Sequence, residues 1–374
     1  MRCKRICSIV FAALFLCCMI PFCGGQQVYA AETGQPDELL DEALIPDEAK
    51  EFLEEQPYTI EELQQMTFPD LLQKLWGDFC SSLKEPVLLF AKLCGILLLS
   101  ALLHHFKKDG AQGLSTALDT SVTVTAFLLV SQPLLGLFAD IGGTLETARS
   151  FMAMFVPVFS TVMVACGQPA TSVLYSGMFL SGITLIAQIL TGGILPFIKI
   201  YLALTITKGV GGGLKLGAFT DFISKAVKWA LGLLATVFAA VLSFQTYLAG
   251  GADSIALRTG KFLIGSGIPV IGHAVSDAMG TVFAGLKMVK GAVGIMGIAG
   301  ILLVFLPVLV SCLGYYTATL AARTVASALG NDKGEGLLSG FCECLSLYMV
   351  VLIFFMTLTV LGAVVALTTS VGGS

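Results

Sequence analysis

Charge is what this sequence lacks most. Asp, Glu, Lys and Arg make up 12% of its 374 residues, against 56% hydrophobic. Soluble domains carry roughly 25% charged residues, so a water-soluble globular fold is excluded and a polytopic membrane protein is indicated. Disulfides are excluded next. Of 11 cysteines, Cys3, Cys7, Cys17, Cys18 and Cys23 lie in or beside an N-terminal signal. Only Cys80 falls in the exported region, and one thiol builds no framework. Cys94, Cys166 and Cys312 sit in apolar runs. Cys342-x-Cys344 has no histidine or second cysteine pair to complete a metal set and reads as small apolar residues near a helix start. Cys23 follows Ile20-Pro21-Phe22, a poor context for lipidation.

Catalytic patterns are missing as well. Gly209 and Gly211 to Gly213 with Lys215 resemble a phosphate loop, but no Gly-Lys-Ser/Thr follows and no strand precedes them. Ser266 and His273 share one stretch with Pro269 between them, whereas an intramembrane serine protease needs them on facing helices. A non-enzymatic chain is expected, with no catalytic residue, cofactor or metal and no nucleic-acid partner. Any ATPase it works with is a separate chain.

What is present begins with a signal peptide over residues 1–30. Arg2, Lys4 and Arg5 form its basic head, Ile6 to Ile20 its apolar run, and Val28-Tyr29-Ala30 its cleavage site. Residues 31–85 form an acidic extracytoplasmic arm with 15 acidic and 3 basic residues, a balance of −12. Such an arm stays solvated or meets a basic partner rather than anionic lipid. Pro46-Asp47-Glu48 reads as a helix entry and Thr59-Ile60-Glu61-Glu62 as a capping box. Phe68, Leu71, Leu72, Leu75, Trp76 and Phe79 recur at helical spacing. They read as an amphipathic helix lying on the outer membrane surface, or else as a docking helix for an exported partner.

Residues 86–374 form the membrane domain. A helix crosses the hydrocarbon core in about 20 apolar residues. The expected spans are Pro86–Phe106, Leu118–Ala139, Phe151–Cys166, Val173–Leu190, a run to Ile206 after Gly192-Gly193 and Pro196, Trp229–Leu248, Ile295–Tyr315 and Leu345–Leu367. That is about eight, some short or broken, in an all-α polytopic helical protein. The positive-inside rule puts Lys107, Lys108, Lys208, Lys215, Lys225, Lys228, Arg323 and Lys333 in the cytoplasm and the C-terminus outside. Arg258, Lys261, Lys287 and Lys290 then fall on the outer side, against the rule.

Residues 250–289 are too polar for a plain span and too apolar for a plain loop, and they read as a re-entrant, broken-helix or interfacial element. Within them His273 and Asp277 share a helix face. With Lys261, Lys287 and Lys290 they are the candidate pathway or assembly residues, the competing reading being that they only face water or another subunit. Gly291, Gly294, Gly297 and Gly300 form a small-residue track suited to close helix packing in lipid. Lys199 interrupts an apolar run, with Glu343 and Asp140 as candidate partners.

The stretch Phe219-Thr220-Asp221-Phe222-Ile223-Ser224-Lys225-Ala226-Val227-Lys228-Trp229 is distinctive. So are Thr259-Gly260-Lys261-Phe262, Ile268-Pro269-Val270-Ile271-Gly272, Ser276-Asp277-Ala278 and Lys290-Gly291-Ala292-Val293-Gly294. In this order the chain resembles the stage III sporulation protein AE family of spore-forming Firmicutes. The resemblance implies a membrane subunit of a secretion-like complex made in the mother cell. The complex joins a forespore protein across the intermembrane space and sustains the engulfed forespore. The implied partners are the other membrane proteins of that complex, an ATPase on another chain and the lipid bilayer. The implied place is the mother-cell-derived membrane around the forespore. The family has no catalytic residues to carry over. The rival reading is an independent secondary transporter, motivated by the interruptions at Thr191–Pro196 and Gly265–Pro269 beside ionisable groups.

Overall fold

Long helices follow directly from the composition, because apolar backbone in lipid must satisfy its own hydrogen bonds. The computed structural model describes residues 82–105, 112–210, 217–267 and 272–368. All of them belong to one compact unit, Tyr58–Ser374. The signal peptide and nearly all of the acidic arm lie outside the described residues. The order is α1 (Lys84–His105), α2 (Gln112–Ala165), α3 (Pro169–Leu174), α4 (Leu180–Ile189), α5 (Leu195–Val210), α6 (Gly217–Gly267), α7 (Gly272–Ala328) and α8 (Asp332–Thr368). Short π-helical turns, Tyr175–Phe179 and Leu190–Ile194, join α3, α4 and α5 into one rod.

Six helices among the described residues are long and apolar enough to cross a membrane, where about eight crossings were expected. Two expected breaks are continuous. Asp140, Glu146 and Arg149 separate two apolar runs of α2 without ending the helix. Arg149 pairs with Glu146 one turn away, and the Thr144 hydroxyl donates to the Asp140 backbone carbonyl at 2.7 Å. In the α3–α5 rod, Pro196 has no N–H to return to the preceding turn. The wider π turn Leu190–Ile194 takes up that mismatch, so proline bends the rod's hydrogen bonding rather than stopping it. Residues 250–267 and 272–289, expected as a re-entrant, broken-helix or interfacial element, are helical and continuous with α6 and α7, and residues 268–271 between them lie outside the described residues.

Real chain reversals occur where geometry demands them. Gly167 (φ 77°) turns α2 into α3, and Gly330 (φ 71°) turns α7 into α8. A side chain in this left-handed region is strained. Asn331 then caps α8, its Oδ1 accepting the Gly334 N–H at 2.8 Å.

The helices pack antiparallel along much of their length. Leu367 of α8 faces Gly294 of α7, Phe355 packs on Phe305, and Arg323 meets Glu335 at the far end. Phe155 and Phe151 of α2 face Gly297 and Gly300 of α7. The core is aromatic: Phe159, Tyr175, Phe179 and Phe238 form a continuous chain of ring contacts. Tyr348 is fully buried against Phe138 (centroids 4.4 Å apart), and its hydroxyl has no hydrogen-bond partner among the described residues. Removing an unpaired buried hydroxyl relieves its desolvation cost. Tyr348→Phe is therefore expected to match wild type or exceed it by up to about 1 kcal/mol in reversible unfolding of the detergent-solubilised protein. A loss would show that the hydroxyl has a partner after all.

Candidate functional site

Two polar assemblies stand out among the described residues of the apolar bundle. The first lies where the α2–α3 turn meets α6 and α7. Helix α3 begins with Pro169, and its N-cap residue Gln168 makes no side-chain cap. The first free N–H groups of α3 therefore need another acceptor. Asp253, reaching from α6, supplies it. Its two carboxylate oxygens accept from Ala170 N at 2.9 Å and Thr171 N at 3.0 Å, and the Thr171 hydroxyl donates to the same group. Asp253 is 0% exposed. A buried carboxylate at a helix N-terminus is held by charge-assisted hydrogen bonds and by the helix dipole.

Gln168 turns its side chain the other way. Its Oε1 accepts from Lys290 Nζ of α7 at 2.8 Å, and Lys290 is 4% exposed. The Cys166 thiol donates to the Leu286 carbonyl at 3.2 Å. Burial pushes that thiol above its ordinary range, against the opposing pull of Lys290 and Lys287. One turn of chain, residues 166–171, is tied to two other helices by side chains that carry opposite charges.

The second assembly is a cavity of about 730 Å³ between α1, α2 and α7. Glu85, Lys92, Gln132 and Asp140 line it with Tyr315, and leucines such as Leu88 and Leu128 complete the wall. The Tyr315 hydroxyl donates to Glu85 at 2.8 Å. Glu85, Lys92, Gln132 and Asp140 are exposed, so the cavity opens onto the outer surface of the bundle.

The residues singled out from sequence are distributed unevenly over these features. Lys290 is in the first assembly. Lys287, one turn earlier, is exposed. Lys261 falls on α6, and His273 and Asp277 on the first turns of α7, but their side chains lie outside the described residues. Of the glycines, Gly294, Gly297 and Gly300 each leave no room for a side chain against Leu367, Phe155 and Phe151, while Gly291 has open space around it. Lys199 is exposed, and Glu343 accepts from the Tyr201 hydroxyl instead of meeting it. Asp253 was not among the candidates drawn from the sequence. The signal was there: a proline-initiated helix after a glycine turn lacks a good N-cap of its own. The cavity had no such signal, because its charges come from helices far apart in the chain.

The chain matches the family described as Stage III sporulation protein AE over residues 50–370. It is similar to a protein named Stage III sporulation protein AE from Bacillus subtilis (strain 168), at 26% identity over 155 residues. That similarity covers 41% of this chain and 39% of the relative, so the chain spans well under half of the relative's length in the match. No solved structure matches the chain.

Proposed function

The chain belongs to the stage III sporulation protein AE family, and from that premise we propose that it is a non-enzymatic membrane subunit of a sporulation channel complex. In this reading it sits in the mother-cell-derived membrane around the forespore and supports forespore development after engulfment. Its acidic arm, residues 31–85, projects outside the cytoplasm after signal cleavage. Its partners are other membrane proteins of the complex, with an ATPase on a separate chain. Lys261, His273, Asp277, Lys287 and Lys290 are the proposed pathway or assembly residues.

The observation that carries this reading is the family match across residues 50–370. The architecture supports it. The apolar stretches of the five longer candidate spans run 36–44 residues, or about 54–66 Å at 1.5 Å per residue. The hydrocarbon core is about 30 Å thick. A bundle this long exceeds one bilayer and suits a chain surrounded by other subunits.

Deleting the coding sequence from its host is expected to arrest development after engulfment and abolish heat-resistant spores while leaving vegetative growth unchanged. Normal spore counts in the deletion strain would reject the role. A secondary transporter is the second reading, favoured by the two π-helical turns in the α3–α5 rod. Solute flux by the purified chain in liposomes, lost in His273→Ala with Asp277→Asn, would support it over the first.

A further inference from the structure

The cavity between α1, α2 and α7 holds a cation and two carboxylates that do not pair with one another. Glu85 is engaged by Tyr315. Lys92 and Asp140 line the same space, yet among the described residues the ion pairs are Arg149–Glu146 and Arg323–Glu335. Lys92 lies within the span Lys84–Leu102, and Asp140 within Val124–Ala165. A charge left against lipid within a span costs about 2.5–3.5 kcal/mol on insertion scales. Charges there ordinarily find a counter-charge or water.

The level of the cavity along the bundle is informative. α1 runs antiparallel to α2, and the two share the cavity from Glu85 to Lys92 and from Asp140 back to Leu128. The apolar length of α1 therefore extends from the cavity toward one end of the bundle. Past the cavity, α2 carries Glu146 and Arg149 as a local ion pair before its uncharged residues 150–165, and α7 and α8 present the uncharged stretches 291–314 and 344–368. The cavity thus opens on the flank of a largely apolar bundle, with the exposed Leu88 and Leu128 beside its charges.

We propose that this cavity binds the headgroup of an aminophospholipid, a phosphoethanolamine with its acyl chains outside. The phosphate accepts from the Lys92 ammonium. The primary ammonium donates to Asp140 and Glu85, the latter oriented by Tyr315. Leu88 and Leu128, 55% and 59% exposed, line the exit for the chains. The chemistry is selective. A choline headgroup has no N–H to donate to two carboxylates, and a glycerol headgroup has no cation to meet them. No other group in the cavity supplies a second cation.

The test uses the full chain purified in detergent and then titrated with lipids of equal acyl composition. Binding is read by native mass spectrometry and by thermal stability. Phosphatidylethanolamine is expected to bind roughly tenfold or more tightly than phosphatidylcholine or phosphatidylglycerol. Asp140→Asn is expected to erase that preference, Lys92→Ala to weaken all three lipids together because the phosphate is common to them, and Lys92→Arg to keep both affinity and preference. Equal binding of the three lipids by wild type overturns the proposal, and so does an unchanged preference in Asp140→Asn. Displacement of the lipid by free glycerophosphoethanolamine at similar concentration would reassign the site to a soluble zwitterion and overturn the lipid reading. None of these outcomes depends on the sporulation role.

Discussion

Asp253→Ala is expected to cost about 3 kcal/mol of stability. Three donors converge on this carboxylate: two backbone N–H groups of α3 and the Thr171 hydroxyl. Alanine leaves all three without an acceptor in a place where Asp253 is 0% exposed and water does not substitute readily. Helix α3 has no side-chain cap of its own to fall back on. Asp253→Asn keeps an acceptor oxygen and is expected to lose about 1–2 kcal/mol. The order wild type, Asn, Ala should appear in reversible unfolding of the solubilised protein. An alanine variant within 0.5 kcal/mol of wild type, roughly the spread of neutral surface changes, would show that the cap contributes little.

Gly297→Ala should also destabilise, against the ordinary trend. Alanine in a helix interior is favoured over glycine by about 1 kcal/mol. At residue 297 a new Cβ lands within the ring of Phe155, itself stacked between Phe151 and Phe159. Helices α2 and α7 must move apart, at an overpacking cost of about 1–3 kcal/mol that outweighs the propensity gain. Gly291→Ala, two turns earlier with open space around it, should be neutral or stabilising. The opposite signs at two glycines of one track are the test. Gly297→Ala combined with Phe155→Leu should recover part of the loss, because the smaller side chain frees the space the methyl needs. If both glycine variants shift stability in the same direction, close packing at Gly297 is not what holds these helices together.

The membrane class, the helical fold and the family were legible in the chain because they rest on local or cumulative properties. Scarce charge excludes a water-soluble fold whatever the arrangement. Long apolar runs force helices, since lipid offers no partners to backbone groups. At Gly294, Gly297 and Gly300 a side chain would meet Leu367, Phe155 and Phe151, while Gly291 has open space, and sequence spacing could not separate them. That distinction depends on whether Phe155, far away in the chain, points at the glycine.

What only the tertiary structure decided concerns continuity and partners. Asp140, Glu146 and Arg149 look like a break between two spans, yet α2 runs through them, because backbone hydrogen bonds continue a helix through polar residues and Arg149 and Glu146 pair one turn apart. Gly192-Gly193 and Pro196 look like the end of a helix, yet a π turn carries the rod past them. Lys290 found Gln168 and Asp253 found Ala170 and Thr171 across separations of 82 to 122 residues. Composition and periodicity describe what each segment needs from its surroundings. Which distant segment meets that need is settled only when the helices pack, because a hydrogen bond or a close glycine contact depends on distances of a few ångströms that no one-dimensional pattern records.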